Sequence, residues 1–194
     1  MPRSAAGPPA VARLRASLER IPAARLTDER ARRAAVLVPI VGAGRPRILC
    51  LERSQEVTDH KGEICFPGGM IEPADSSSEA AALRECWEEV ALAPSLVDVL
   101  GRLDDQRTGL SNFIITPVVG YIERLPPLQV QAREVARPIL IDVQALLGGA
   151  QHVCASFGGG VRRSNHEYVC DGNRIWGVTA RILATLFAMW PNRL

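Results

Sequence analysis

The chain has 194 residues, 47% of them hydrophobic, and a formal net charge of +2. That length suffices for one substantial α/β domain with a good core, and the apolar content excludes a disordered chain. So small a net charge argues against partnership with nucleic acid or with an acidic membrane surface.

Lys61 is the only lysine among many arginines, a pattern that a base-composition bias in the coding DNA explains. Five scattered cysteines (Cys50, Cys65, Cys86, Cys154 and Cys170) contain no Cys-x-x-Cys pair. An odd, unpatterned set fits buried free thiols better than a disulfide framework or a zinc site, so a reducing, cytoplasmic setting is expected.

Residues 1 to about 12 carry Pro2, Gly7, Pro8 and Pro9 and read as a loose lead. Residues 10–20 follow as a short amphipathic helix, with Val11, Leu14 and Leu18 on one side. The segment is rich in arginine and poor in acids, as a transit peptide is, but a helix that docks on the domain explains the same residues. Thr27 to Arg33 is a charged connector. The expected division is therefore an N-terminal extension over 1–33 and one α/β domain over 34–190.

The apolar run 34–41 predicts a buried strand, residues 42–46 a turn, and 47–53 a returning strand, together a hairpin that feeds a sheet. Residues 96–103 and 113–122 predict two more strands. Pro117 in the second points to an edge or a bulge, because proline cannot donate to a ladder. A loop over 125–132 precedes Glu134, and 136–143 predicts a strand leading into a short helix at 144–147. Gly148-Gly149 and Gly158-Gly159-Gly160 are hairpin-type breaks, since neither has the form of a phosphate loop. Residues 166–176 form a further hairpin with its tip at Asp171-Gly172 or Gly172-Asn173. The final helix, 177–190, has an apolar face of Ile182, Leu183, Leu186, Phe187 and Trp190. It is too short to span a membrane, and no membrane partner is expected. The apolar segments at the two ends could serve a homodimer.

The chemistry concentrates between Gly68 and Leu92. Gly68-Gly69 allows a tight backbone approach. Ser76-x-x-Glu79 has the form of a capping box, which starts a helix near Ser77. On that helix Glu85, Glu88 and Glu89 share a face. Three like charges so close repel, and a hard divalent cation relieves them, because Mg²⁺ and Mn²⁺ select carboxylate oxygens. Taken alone, Glu-x-x-Glu-Glu is a common solvated acidic face. Its surroundings change the odds: Arg84 precedes it, and Phe66-Pro67-Gly68-Gly69 lies upstream.

This combination resembles the Nudix box, Gly-x5-Glu-x7-Arg-Glu-U-x-Glu-Glu-x-Gly-U with U aliphatic, from Gly69 to Leu92. Asp75 replaces the first glutamate, one extra residue separates it from Arg84, and Ala91 replaces the second glycine. Upstream, Leu49, Arg53, Ser54, Gly62 and Phe66 to Gly69 resemble the signature of the coenzyme A pyrophosphatase branch of that family. The extra residue in the box is also characteristic of that branch. Cys50, Leu51 and Thr58 depart from the signature, and Thr58 replaces an arginine. The stretches 116–120 and 175–182 are similar to the same branch.

The resemblance implies a Nudix-type α/β/α sandwich with a mixed β-sheet. It implies metal-assisted hydrolysis of a pyrophosphate linkage, with Mg²⁺ or Mn²⁺ held by Glu85, Glu88 and Glu89. Arg84 would hold a glutamate in place, and Glu88 or Glu134 would be the general base. Arg53, Gly68 and Gly69 are the candidate substrate-binding residues, Arg53 because a guanidinium bonds phosphate oxygens in pairs. His60 is either a phosphate contact or, preferably, a loop cap. The expected substrate is a small nucleoside diphosphate derivative: coenzyme A or an acyl form, with dinucleotides or sugar nucleotides as alternatives. A sensor that binds a nucleotide without cutting it is the rival, disfavoured because all three glutamates and Arg84 are present.

Overall fold

The computed structural model describes residues 7–57, 60–108, 112–148, 150–156 and 162–191, with side chains omitted over 150–156 and 162–165. Thr58, the break at Gly148-Gly149 beyond its first residue, the Gly158–Gly160 break and the Cys154 side chain lie outside the described residues.

Helix α1 (Pro9–Arg20) opens with proline in its first turn, where the missing N–H costs nothing. It buries Val11, Leu14 and Leu18. Strands β1 (Arg32–Val41) and β2 (Arg47–Arg53) form the expected hairpin. They are followed by β3 (Ile64–Cys65), β4 (Gly68–Met70) and helix α2 (Ser78–Val90). Next come β5 (Asp98–Arg102), β6 (Gln106–Arg107), β7 (Phe113–Ile122), β8 (Val135–Asp142) and α3 (Val143–Gly148). Strands β9 (Ala150–Ser156), β10 (Arg162–Cys170) and β11 (Asn173–Ile175) make a separate three-stranded sheet, and α4 (Gly177–Met189) closes the chain.

The main sheet runs β3-β2-β1-β7-β5, with β8 on β2, β4 on β1 and β6 on β7. It is mixed: β1 and β7 are parallel along their whole length, and the other pairs are antiparallel. Alternation along the strands splits the core into two layers. Leu37, Val41, Leu49 and Leu51 pack with Ala81, Ala82, Cys86 and Val90 of α2. Val38, Ile40, Ile48 and Cys50 pack with Val11, Leu14 and Leu18 of α1 and with Ile182, Leu183 and Leu186 of α4. Helices therefore cover both faces, the α/β/α sandwich expected from the sequence.

Two expectations need correction. Strand β7 is no edge: β1 flanks it on one side and β5 and β6 on the other. Pro117 is accommodated because its carbonyl, which accepts from the Leu103 amide at 3.0 Å, faces the gap between β5 and β6. Its nitrogen faces the same gap, where no ladder bond is required. The α2 cap is also displaced by one residue. Ser77, rather than Ser76, accepts from the Ala80 amide at 3.1 Å, and Glu79 instead pairs with Arg102. At the other end Ala91 adopts the left-handed conformation, φ 55°, that the family assigns to glycine.

Asp104 and Asp105 bind the segment between α1 and β1 to the sheet. The Asp105 side chain is fully buried and accepts from Arg25, Arg33, Thr116 and the Leu26 amide. Among the described residues no helix is long and apolar enough to cross a membrane. Cys50, Cys65, Cys86 and Cys170 are free thiols. Burial pushes the Cys65 thiol up to about 12, a thiol kept protonated rather than a reactive one.

Candidate active site

The site exists because β1 and β2 part company. They pair only at Ile40–Ile48 and Val41–Arg47, and β4 enters the resulting wedge beside β1. Its register sets Gly68 opposite Val36 and Gly69 opposite Ala35. Helix α2 crosses this wedge and points two glutamates into it.

Glycine is required at both wedge positions. A Cβ on Gly68 would lie 2.4 Å from the Ala35 carbonyl oxygen, and its φ of +153° is itself a glycine conformation. A Cβ on Gly69 would lie 2.4 Å from Cδ of Glu85 and 2.5 Å from both of its carboxylate oxygens. The glycines thus serve the carboxylates directly. The Gly68 amide donates to Glu89 Oε2 at 3.0 Å, and the bare face of Gly69 makes room for Glu85.

The three box glutamates are not equivalent. Glu89 is 4% exposed, and its carboxyl is pushed up to about 8 by burial and by the negative charges of Glu85 and Glu134. The Gly68 amide and Arg53 pull it back only in part. Burial also raises Glu85, against the lowering pull of Arg84. Glu88 is turned outward, with its side chain 54% exposed.

Arg84 is a hub rather than a single salt bridge. Its Nη1 donates to Glu85 Oε1 at 3.0 Å and to Glu88 Oε2 at 3.1 Å. Its Nε and Nη2 grip both oxygens of Asp75 at 3.1 and 3.0 Å, and Nη2 also donates to the Met70 carbonyl. The sequence pattern marked Asp75 only as a stand-in for glutamate. Its function as the anchor of Arg84 emerges only in the fold, which sets the two nine residues apart in the bidentate geometry that guanidinium and carboxylate favour. Arg84 in turn holds the Asp75 carboxyl below its ordinary value.

Glu134 comes to the site on a loop tied to the end of α2. The Gln131 amide donates to the Glu89 carbonyl at 2.8 Å and the Gln129 amide to the Val90 carbonyl. The Glu134 carbonyl accepts from the Ser54 amide, next to Arg53. Arg53 ends β2 opposite Val135, and its charge acts on Glu89. Its Nε is buried without a hydrogen-bond partner. His60 pairs with Glu63 at 3.0 Å with a positive φ of 62°, the loop-cap role expected for it.

No ion is needed to define this donor set, but its chemistry fits one. Glu85 and Glu89 are hard oxygen donors, and burial, with the negative charge of Glu134 beside them, holds both carboxyls above their ordinary range. Among the described residues, no three acidic, histidine or cysteine side chains are already drawn together tightly enough to cage an ion. The fit is therefore one of charge and donor type, with side chains adjusting on binding.

An α/β/α sandwich with a glycine wedge, an arginine hub and a glutamate-bearing helix defines the Nudix class of folds. Residues 31–135 match the NUDIX domain, and the chain belongs to the Nudix family. It is 40% identical over 162 residues to an uncharacterised Nudix hydrolase, NudL, of Cronobacter sakazakii, covering 80% of this chain and 81% of that one. The NudL of a Salmonella paratyphi B strain is 38% identical over the same coverage. Among solved structures, a MutT/nudix family protein from Enterococcus faecalis aligns with TM-score 0.54 at 15% identity, over 84% of this chain and 64% of that one. An Ap4A hydrolase of C. elegans aligns with TM-score 0.50 at 17% identity, over 61% and 85%. Nudix hydrolases use divalent metal ions.

Proposed function

We propose that this protein hydrolyses the pyrophosphate linkage of coenzyme A or an acyl-coenzyme A, releasing a phosphopantetheine product and adenosine 3′,5′-bisphosphate. The observation that carries the diphosphate reading is Arg53. Its guanidinium sets a fixed positive charge beside the Glu89 carboxylate, with a buried Nε–H that no protein acceptor takes, and a charge so placed suits phosphate oxygens. The coenzyme A assignment rests on the spacing of Leu49, Arg53, Ser54, Gly62 and Phe66–Gly69. The same site would serve other nucleoside diphosphate derivatives, and the C. elegans neighbour named as an Ap4A hydrolase keeps dinucleotides as the second reading.

In this mechanism Glu85 and Glu89 would hold Mg²⁺ or Mn²⁺, with Glu88 supporting from the rim. A bound divalent ion neutralises charge on the diphosphate and lowers the pKa of an attacking water. Arg84 fixes the Glu85 and Glu88 carboxylates, and the Gly68 amide fixes Glu89. Arg53 donates to a non-bridging phosphate oxygen. Glu134 takes the proton from the water at its carboxylate. It is preferred over Glu88 because the Glu88 carboxylate is engaged by Arg84, whereas Glu134 faces Glu85 and Glu89 with no such partner.

Mass analysis of products from coenzyme A, an acyl-coenzyme A, a diadenosine polyphosphate and a sugar nucleotide, each with Mg²⁺ and with Mn²⁺, tests the reading. Fastest release of adenosine 3′,5′-bisphosphate from the coenzyme A substrates is expected. Tight binding with no cleavage of any substrate would support a sensor instead.

A further inference from the structure

Strand β8 carries one residue too many for its partner. Along β2 the register runs from Arg47–Asp142 to Glu52–Arg137 without a break, and then Arg53 stands opposite Val135. Ala136 is the unpaired residue, a β-bulge at the step that leads to Arg53. The packing shows the same break in alternation. Ile139 and Ile141 point into the layer of α1 and α4, whereas Val135, at the same odd spacing, packs in the layer of α2 and is 2% exposed. Ala136 itself is exposed.

The bulge lies at the root of the turn that carries Glu134. The Gln131 carbonyl accepts from the Glu134 and Val135 amides, both at 2.9 Å. The Gln131 amide donates to the Glu89 carbonyl, and the Ser54 amide to the Glu134 carbonyl, both at 2.8 Å. The turn is thus slung between the end of α2 and the residue after Arg53. These backbone bonds hold the turn in place but do not aim its carboxylate. The direction in which the chain enters β8 does that, and a bulge sets this direction by bending and twisting its strand. The negative charge of Glu134 acts on both Glu85 and Glu89, so the turn delivers its carboxylate to the pair.

Resting on the metal-assisted reading above, we propose that the Ala136 bulge is a positioning device: it bends the start of β8 so that the Glu134 carboxylate is held beside Glu85 and Glu89. Ala136 acts only through Glu134. An exposed residue that fills no core and pairs with nothing on β2 contributes by the bend it imposes.

Deleting Ala136 removes the bend and little else. In a straight ladder Val135 then adjoins Arg137, so Arg53–Val135 and Glu52–Arg137 stay paired and each side chain keeps its face. Mn²⁺ affinity, read by calorimetry without substrate, tests the idea apart from turnover. Glu134→Gln and the deletion should each weaken Mn²⁺ about tenfold, the scale for a group that supports metal ligands. The two together should be no more than about twofold worse than Glu134→Gln alone, because both changes remove the same carboxylate from the site. The deletion should leave the melting temperature within about 4 °C of wild type. Should the deletion variant not fold, Ala136→Gly loosens the same bend and should weaken Mn²⁺ about threefold, the scale of the backbone freedom that glycine adds. Wild-type Mn²⁺ affinity in Glu134→Gln, in the deletion variant or, in its place, in Ala136→Gly would overturn the proposal. So would a full further loss when the deletion is made in the Glu134→Gln protein, since the bulge would then act on something else. The expected binding pattern without cleavage of any substrate would uphold the bulge's role and sink the hydrolase assignment.

Discussion

The sharpest consequence of the wedge concerns its two glycines, which adjoin in sequence yet should fail for different reasons. Gly69→Ala introduces a Cβ 2.4 Å from Cδ of Glu85, where ordinary carbon–carbon contact is about 3.5–4.0 Å. The obstructing group is the end of a flexible side chain, so the carboxylate retreats by about 1 Å and the backbone stays in place. A displacement of that size in a reacting constellation costs about a hundredfold in rate. Stability should change by less than about 1 kcal/mol, or about 2–4 °C in melting temperature. Gly68→Ala instead meets backbone: the Ala35 oxygen at 2.4 Å and Val36 Cα at 2.6 Å, at a φ of +153°. The β1–β4 pair must open, at a cost of about 3 kcal/mol or more. The assay pairs thermal melting with kcat at saturating Mg²⁺ on the best substrate from the product panel. A Gly69→Ala protein that turns over at the wild-type rate would refute the placement of Glu85 at the reacting centre. A Gly68→Ala protein as stable as wild type would refute the register of β4.

Glu85→Gln and Glu89→Gln should each lower turnover at least about a hundredfold, as loss of a metal ligand or its orienting partner does; near wild-type rates in both would remove the metal assignment. Glu89 also makes a pH prediction for the metal-free protein. Its carboxyl is raised from 4.5 to about 8, so the folded state binds that proton more tightly than the unfolded chain. The associated stability is complete below pH 4.5 and is lost as pH climbs through 8. It amounts to a few kcal/mol at most, at about 1.4 kcal/mol per unit. Urea melts from pH 5 to 8.5 should fall accordingly, and stabilisation by Mg²⁺ should grow over the same range; a flat profile in both would contradict the buried carboxyl. Ala91→Gly should stabilise the protein by about 1 kcal/mol, because glycine occupies the left-handed position without a Cβ penalty. Asp105→Ala should destabilise it by about 3 kcal/mol, since Arg25 and Arg33 lose a fully buried partner. Denaturant melts check both, and the opposite sign in either would defeat its argument.

Local patterns were sufficient wherever the controlling forces were local. Residues 47–53 carry a continuous apolar run, Ile48 to Leu51, set off by the Gly42–Pro46 turn, so β2 was legible in the sequence. The helix of the box and the Asp171-Gly172 turn follow from propensity and φ preference, all written in adjacent residues, whereas the end of the helix at Ala91 does not, because alanine disfavours the left-handed conformation it adopts there. Glu85, Glu88, Glu89, Arg84 and the glycine pair were legible as a set because the box spacing is short, whereas Arg53 and Glu134 were singled out only by resemblance to patterns outside the box. What alternation could not supply was strand order. Pro117 argued for an edge or a bulge, yet β7 lies inside the sheet, because the gap between the short strands β5 and β6 requires no N–H donor at that position.

The sequence by itself determined the longer elements and the acidic helix and pointed to the family, while the short strands β3, β4 and β6 exist only through their pairing with β2, β1 and β7. Only the tertiary structure decided how the acids differ. Glu85, Glu88 and Glu89 are equal in the sequence, but the crossing of α2 over the β4 wedge buries Glu89, crowds Glu85 against Gly69 and leaves Glu88 at the rim. Burial and charge proximity depend on chains far apart in sequence, from Ala35 to Glu134, and a carboxyl's affinity for protons or metal follows from that surrounding field.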